Sequence, residues 1–377
     1  VWEGAWLWRL KDRIDAKFMA RLSDLPPMAA PPLPATVAAG VGAKHAGGKP
    51  LCAGCGAKVG AGALADALAA LPVQTRGDLL TGAGDDAAVL RHGDGVQVMT
   101  TDHLRALTDD PRLMARIAAV HALGDIWAMG AAPQVALASV TLPRMSDRLQ
   151  ARTLSEIMQA AADIFGPEGA AIAGGHTAMG PEMTLGFTLT GLAARPVTKA
   201  GARAGCALIL TKALGTGVLM AAEMARDAFG PDITHAWARM AQPQGAAARL
   251  LAPQAQAMTD VTGFGLAGHL LEMLDASGVA AEVDAAALPV LPGAAAATAR
   301  HASSLAPANR AALAGRATLP EGALGALMVD PQTSGGLLAA VPAEAADALV
   351  AELRALGFDQ AARIGDIVDG PPGLRVR

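Results

Sequence analysis

The sequence predicts a two-domain protein of the mixed α/β (α+β) class, on three observations. Apolar strand-like runs alternate with longer helical patterns from Leu51 onward. The alternation breaks around Arg195 to Gly205 and then restarts. A chain of 377 residues with 52% hydrophobic content also exceeds what one core usually organises.

Taken in order, residues 2–22 place Trp2, Trp6, Trp8, Leu10, Ile14, Phe18 and Leu22 among Arg9, Lys11, Arg13, Lys17 and Arg21. That spacing predicts an amphipathic helix over residues 1–23, either packed on a neighbouring domain or touching a membrane surface, where Trp and basic residues are favoured. Residues 24–50 are rich in Pro, Ala and Gly without an apolar period and read as a linker. A first domain then spans residues 51–195. Its expected strands are Val96 to Thr101, Val135 to Leu142, Ala170 to Ala173 and Met183 to Leu192, and its expected helices are Ala61 to Ala70, Pro111 to Met129 and Ser146 to Ile164. A second α/β domain spans residues 196–377. It has strands expected at Cys206 to Thr211 and Gly336 to Val341, and helices at Gly217 to Arg226, His235 to Leu251 and Gly265 to Ala276.

Composition narrows the function. The net charge of -4 is small, Tyr is absent, and no basic stripe with interleaved aromatics runs through the main body, so nucleic acid is a poor candidate partner. No run reaches the roughly 18 uncharged apolar residues that a spanning helix needs. Three cysteines, Cys52, Cys55 and Cys206, cannot staple a chain of this length, and no secretory signal pattern precedes them; a reducing cytoplasm is the expected location. The start at Val1 suggests a fragment, a processed chain or part of a fusion.

The informative polar feature is a set of aspartates among small neighbours: Gly84-Asp85-Asp86-Ala87-Ala88, Thr100-Thr101-Asp102, Leu123-Gly124-Asp125-Ile126 and Met258-Thr259-Asp260-Val261-Thr262-Gly263. Any one of these can simply cap a helix or close a turn. Together they suit a hard cation such as Mg²⁺, which takes oxygen ligands and bridges carboxylates to phosphates. A conventional phosphate loop is missing, since Gly47-Gly48-Lys49 is followed by Pro50. Phosphate contacts would then come from metal and from Gly-rich turns, of which Gly174-Gly175-His176, expected directly after a strand, is the best placed.

The second feature is Cys52-Ala53-Gly54-Cys55-Gly56-Ala57-Lys58. Zinc would need more soft ligands than Cys206 and scattered histidines supply. A thioredoxin-like site would need a strand before the motif, where a linker stands. Two readings remain. One is a mobile segment presenting a thiol beside an ammonium that lowers its pKa; the other is two small cysteines buried in a loop.

These segments, with Gly124-Asp125-Ile126-Trp127-Ala128-Met129-Gly130 and Asp330-Pro331-Gln332-Thr333-Ser334-Gly335-Gly336, resemble in order the motifs of the selenide, water dikinases (selenophosphate synthetases) over residues 51–377. The resemblance implies the two-domain architecture of aminoimidazole ribonucleotide synthetase relatives, with the N-terminal domain dimerising through its sheet. It implies a phosphotransferase that turns ATP, selenide and water into selenophosphate, AMP and phosphate. The product would be a selenium donor for selenocysteine and selenouridine synthesis, and a selenium-delivery protein is among the partners the resemblance implies. Carried over by motif, Cys55 and Lys58 would be catalytic, and Asp86, Asp125 and Asp260 would hold Mg²⁺. Lys58, Ala83, Gly84, Asp85, Asp102, Asp125, Gly174, Gly175 and His176 would contact ATP. Residues 2–22 lie outside this match and look like the tail of a fused pyridine-nucleotide oxidoreductase.

One departure stands out. The family often carries a thiol immediately before the lysine, where this chain has Ala57, while Cys52 sits three residues before Cys55. A reversible Cys52–Cys55 disulfide and an incidental Cys52 both fit that spacing. Two other functions remain open on sequence: another ATP-dependent enzyme of the same superfamily, and a non-catalytic ATP-sensing module fused to a redox protein.

Overall fold

The computed structural model describes residues 5–23, 52–59, 64, 67–70, 75–82 and 84–377. Two compact units divide the chain, residues 1–51 and residues 52–377. In the first, α1 (Ala5–Ser23) is helical as the spacing requires, and Trp6, Trp8, Ile14 and Phe18 are exposed. Trp2, the linker 24–50 and Ala83 lie outside the described residues. Residues 61–63, 65 and 66 of the helix expected at 61–70 do too, whereas residues 64 and 67–69 are helical. Among the described residues no helix is long and apolar enough to cross a membrane.

The second unit holds two sheets. The first contains β1 (Leu79–Thr81), β2 (Ala88–His92), β3 (Gly95–Arg105), β4 (Ala132–Leu142), β5 (Ala171–Met179) and β6 (Thr184–Ala193), in the order β1-β2-β3-β6-β4-β5. Its pairs are antiparallel except β4 with β5. The helices α2 (Pro111–Ala128) and α3 (Asp147–Phe165) pack on one face. Asp110 starts α2, its Oδ1 accepting from Arg112 N at 2.8 Å and Leu113 N at 3.2 Å, with Pro111 in the first turn where no N–H is needed. Apolar residues line almost the whole of α2, so it is buried nearly all round, whereas amphipathic α3 covers it from outside. Phe165 of α3 meets Phe187 of β6 edge to face at 4.9 Å.

The second sheet contains β7 (Cys206–Leu210), β8 (Ala257–Asp260), β9 (Ala280–Val283), β10 (Ala317–Thr318), β11 (Leu337–Pro342), β12 (Ala362–Val368) and β13 (Gly373–Val376), in the order β10-β13-β9-β12-β7-β11-β8. Fully buried β7, and β11, buried up to Val341, form its apolar centre. Helices α4 (Thr216–Met224), α5 (Gly230–Met240), α6 (Gly245–Leu251) and α7 (Gly265–Ser277) belong to this half. Edge strand β8 touches α2, which brings the two halves together where the aspartates lie.

Two sequence expectations need correction. The single helix expected over His235 to Leu251 is two helices, α5 and α6, broken between Met240 and Gly245. Pro243 is the physical cause: it has no N–H to donate, and it turns the residue before it away from helical backbone. The turn expected at Gly174 to His176 is extended chain inside β5, which runs on to Met179 because parallel pairing with β4 continues through Leu142 and Met179.

Candidate active site

Four elements bring the aspartates together. Asp86 sits in the turn before β2, Asp102 lies in β3, Asp125 lies on α2 and Asp260 ends β8. Single ligand oxygens of Asp86, Asp125 and Asp260 all lie within 4.8 Å of one another. Gly124 makes the approach possible. A Cβ there would overlap Asp260 Oδ2, so glycine is kept inside α2 despite its cost of ~1 kcal/mol relative to alanine.

Three carboxylates this close and this buried repel one another. Burial first, then Asp102, Asp260 and Asp86, push the Asp125 carboxyl well above the ordinary range. Burial, then Asp86 and Asp102, do the same to Asp260. Thr100 Oγ1 donates to Asp125 Oδ2, and Thr259 Oγ1 donates to Asp86 Oδ1 at 2.9 Å. Lys199 Nζ also lies 3.0 Å from Asp86 Oδ1. Asp86 Oδ2 is buried with no hydrogen-bond partner among the described residues. An orphaned oxygen within an all-oxygen set of mutually repelling carboxylates fits a hard divalent cation.

The Cys/Lys segment forms a short 3₁₀ turn, Gly54–Ala57, beside Asp102. Gly54 has φ +58°, and a Cβ on it would fall 2.6 Å from Thr333 Oγ1, so both its backbone and its surroundings require glycine. Cys55 N donates to Thr333 Oγ1 at 3.2 Å, and Cys55 is fully buried. Lys58 runs past Gly263, where a Cβ would fall 2.8 Å from its Cδ, and its Nζ reaches Asp102 Oδ1 at 3.4 Å. Against burial, His121 and Lys58 hold the Asp102 carboxyl below its ordinary range.

Lys58 pulls the Cys55 pKa down as expected, but the thiol is not net-activated in this conformation. Burial pushes the thiol up to about 12, outweighing the pull of Lys58. Cys52 is buried as well, so the loop-burial reading describes both cysteines in this conformation. Both thiols are free. Cys52 N donates to Ser304 Oγ at 3.1 Å, Ser304 N donates to Cys52 Sγ at 3.3 Å, and Ser304 Oγ donates to Gly56 O at 2.8 Å.

Sequence reasoning missed His121, Lys199, Thr333 and Ser334 as parts of the site. His121 lies one helical turn before Asp125, so i,i+4 spacing was a usable signal. Lys199 falls in the break between the two alternating patterns and had no local signal. The Asp330 to Gly336 segment was read as a turn before a strand and tied to function only by resemblance, and its structural work is clear. Gln332 Oε1 accepts from Gly215 N and Thr216 N, Asp330 Oδ2 accepts from Val218 N, and Thr333 and Ser334 are thereby held against Cys55 and His121.

Not every expected residue joins the cluster. Gly84 and Asp85 form the turn leading to Asp86, Asp85 Oδ1 accepting from Asp86 N at 2.9 Å. Gly175 shares a row with Ala138, Phe187 and Asp102 across β5, β4, β6 and β3. Three strand spacings put it about 14 Å from Asp102. His176 shares the next row with Ser139, Gly186 and His103, on the opposite face of the sheet from Asp102. Gly174, Gly175 and His176 are exposed on the edge strand.

Residues 84–193 match the family described as AIR synthase related protein, N-terminal domain, and residues 203–377 match its C-terminal domain. In solved structures, the fold is similar to a thiamine-monophosphate kinase from Stenotrophomonas maltophilia K279a, with a TM-score of 0.59 at 24% identity, covering 80% of this chain and 92% of that one. It is also similar to the hydrogenase maturation protein HypE in complex with ATP, with a TM-score of 0.56 at 20% identity, covering 82% and 86%. A selenide, water dikinase of Burkholderia ambifaria (strain MC40-6) is 40% identical over 336 residues, 86% of this chain and 94% of the relative. That of Nitratidesulfovibrio vulgaris (strain DSM 19637 / Miyazaki F) is 38% identical over 339 residues, 85% and 95%. Identity of this extent over nearly the whole length of those relatives, on a fold of two AIR synthase related domains, establishes that the chain belongs to the selenide, water dikinase family.

Proposed function

We propose that this chain uses ATP to convert selenide and water into selenophosphate, AMP and phosphate, with Asp86, Asp125 and Asp260 holding Mg²⁺. The observation that carries this reading is the convergence of three carboxylates beside the Cys55–Lys58 segment, whose Lys58 pairs with the neighbouring Asp102. Magnesium supplies charge neutralisation for the phosphate oxygens when bound. Lys58, partly open to solvent, stays protonated through its ion pair with Asp102 at 3.4 Å, so it is available to phosphoryl oxygens once it leaves Asp102. Cys55 offers the soft atom that suits selenide. Its burial excludes water, and opening of the glycine-rich segment would return the thiol toward its ordinary pKa for exchange with solvent.

Phosphorus NMR of anaerobic, reduced enzyme with Mg²⁺ and ATP tests this. Selenide is expected to be required for AMP and for a new phosphorus–selenium resonance, with Cys55→Ala falling to the no-selenide control. Selenide-independent formation of ADP alone would overturn the assignment, and full product formation by Cys55→Ala would remove the thiol from the mechanism.

The cytoplasm is the proposed location. Dimerisation through the first sheet is proposed for its open face, where Met99, Leu137, Thr101 and His176 are exposed. Leu137→Lys is expected to shift the light-scattering mass from dimer to monomer; an unchanged mass would place the contact elsewhere. Approach of ATP to Gly174, Gly175 and His176 would have to occur from this edge of the sheet.

A further inference from the structure

Beside the segment that carries Cys55 lies a histidine that the reaction scheme above does not use. His121 is 1% exposed and sits on α2 between Cys55 and Asp102. Its Nε2 is 3.2 Å from Cys55 Sγ and 3.7 Å from Asp102 Oδ2. Its Nδ1 accepts from Ser334 N at 3.3 Å. A backbone N–H can only donate, so Nδ1 carries a lone pair and the ring proton of the neutral form is on Nε2, facing the sulfur.

Ser334 is built to keep that arrangement. Its Oγ donates to Ile117 O at 3.0 Å, one turn before His121 on the same helix. Its φ is +51°, and among the described residues only Arg226 shares a positive φ without being glycine. Such backbone is sustained where surrounding contacts over-determine it, as Gln332 and Thr333 do here. Burial also pushes His121 down to about 4 despite Asp102, so the ring is neutral at physiological pH.

We propose that His121 is a positioning residue for the dikinase reaction: its Nε2–H donates to Cys55 Sγ and holds the sulfur closed over Asp102 and Lys58, with Ser334 N–H fixing the tautomer. The proposal rests on the reading that Cys55 acts in the reaction. His121 acts as a donor and not as the base for the thiol, because Nε2 already bears a proton and Nδ1 is occupied. The charged groups facing the sulfur are Lys58 from its own segment, Asp102 from β3 and Asp260 from β8. None of the three can replace a neutral donor without bringing a net charge to the sulfur; the Thr333 hydroxyl is the other neutral group that hydrogen-bonds at Cys55, and it comes from the opposite segment.

The full chain labelled with ¹⁵N-histidine gives the first test, with His121 assigned by its disappearance in His121→Asn. The expected spectrum is a neutral ring protonated on Nε2 at pH 7.5; protonation on Nδ1, or an imidazolium, overturns the proposal. This measurement needs neither selenide nor a folded alanine variant, so its failure is distinct from failure of the functional assignment.

The second test is alkylation of Cys55 by iodoacetamide, read by peptide mass spectrometry. The buried sulfur reacts only when the segment opens. His121→Ala is therefore expected to react about tenfold faster, the worth of one hydrogen bond, while His121→Asn, which keeps an N–H donor, stays within roughly threefold of the parent. The kcat of His121→Ala is expected to fall with KM for ATP unchanged, and His121→Asn to recover part of it. Equal alkylation rates in the parent and His121→Ala, or no recovery in His121→Asn, would overturn the positioning role.

Discussion

Asp260→Asn is expected to lower Mg²⁺-dependent turnover of ATP by about a thousandfold or more, the scale of losing an electrostatic group that acts on the transition state. The same change should raise the stability of the metal-free protein. Asp260 is held among Asp86, Asp102 and Asp125 in a buried setting, where its charge is a net burden without a cation. Removing it relieves that repulsion, whereas Mg²⁺ should then add little stability, because ligand stabilisation follows affinity.

The pH dependence has a definite sign. Asp125 and Asp260 have folded-state pKa values raised above the unfolded ones, so the folded metal-free protein binds these protons more tightly than the unfolded chain. Metal-free stability should therefore fall as pH rises above the ordinary carboxylate range, and fall less in Asp260→Asn. Gly124→Ala is the steric counterpart. It favours the helix by ~1 kcal/mol, yet its methyl occupies the place of Asp260 Oδ2, so metal binding should be lost with the helix intact. Calorimetric titration of Mg²⁺ and thermal melts with and without the metal check both variants. Parent-like Mg²⁺ affinity in either would dissociate that residue from the metal site.

The aspartates were legible because small, flexible neighbours leave carboxylates available. That Asp86, Asp125 and Asp260 would meet was carried by resemblance and is accomplished by the contact of α2 with β8, which no local pattern encodes. The Cys55 pKa went the other way for the same reason. Lys58 is three residues from Cys55, whereas the groups that bury it include His121, 66 residues away, and Thr333, 278 residues away. A charge close in sequence was visible; desolvation by distant chain was not. The α5–α6 break at Pro243 was readable from one residue. The extension of β5 through Gly174 and Gly175 was not, because glycine ordinarily marks a turn and only pairing with β4 keeps the chain extended.

Lys199→Met is expected to give the largest stability loss of any single change near the site, and its metal dependence makes it diagnostic. Lys199 Nζ lies 3.0 Å from Asp86 Oδ1 and 2.8 Å from Glu272 Oε2, and Glu272 is also 3.2 Å from His269 Nδ1. Against burial, His269 and Lys199 hold the Glu272 carboxyl down at about 2. Without the ammonium, Asp86, whose side chain is 4% exposed, is left as an unpaired buried anion. The partly open Glu272 keeps its histidine and some water, so most of the penalty falls on Asp86. Breaking one buried partner of this kind costs about 3 kcal/mol in denaturant unfolding of the metal-free protein. Mg²⁺ should restore much of that loss by replacing the positive charge at Asp86, and should bind more tightly than in the parent because Lys199 no longer repels it. Adding Glu272→Gln should recover only the smaller share. An unchanged unfolding midpoint in Lys199→Met, or a loss that Mg²⁺ leaves untouched, would show that Lys199 serves the packing between the halves and not the charge balance of the carboxylates.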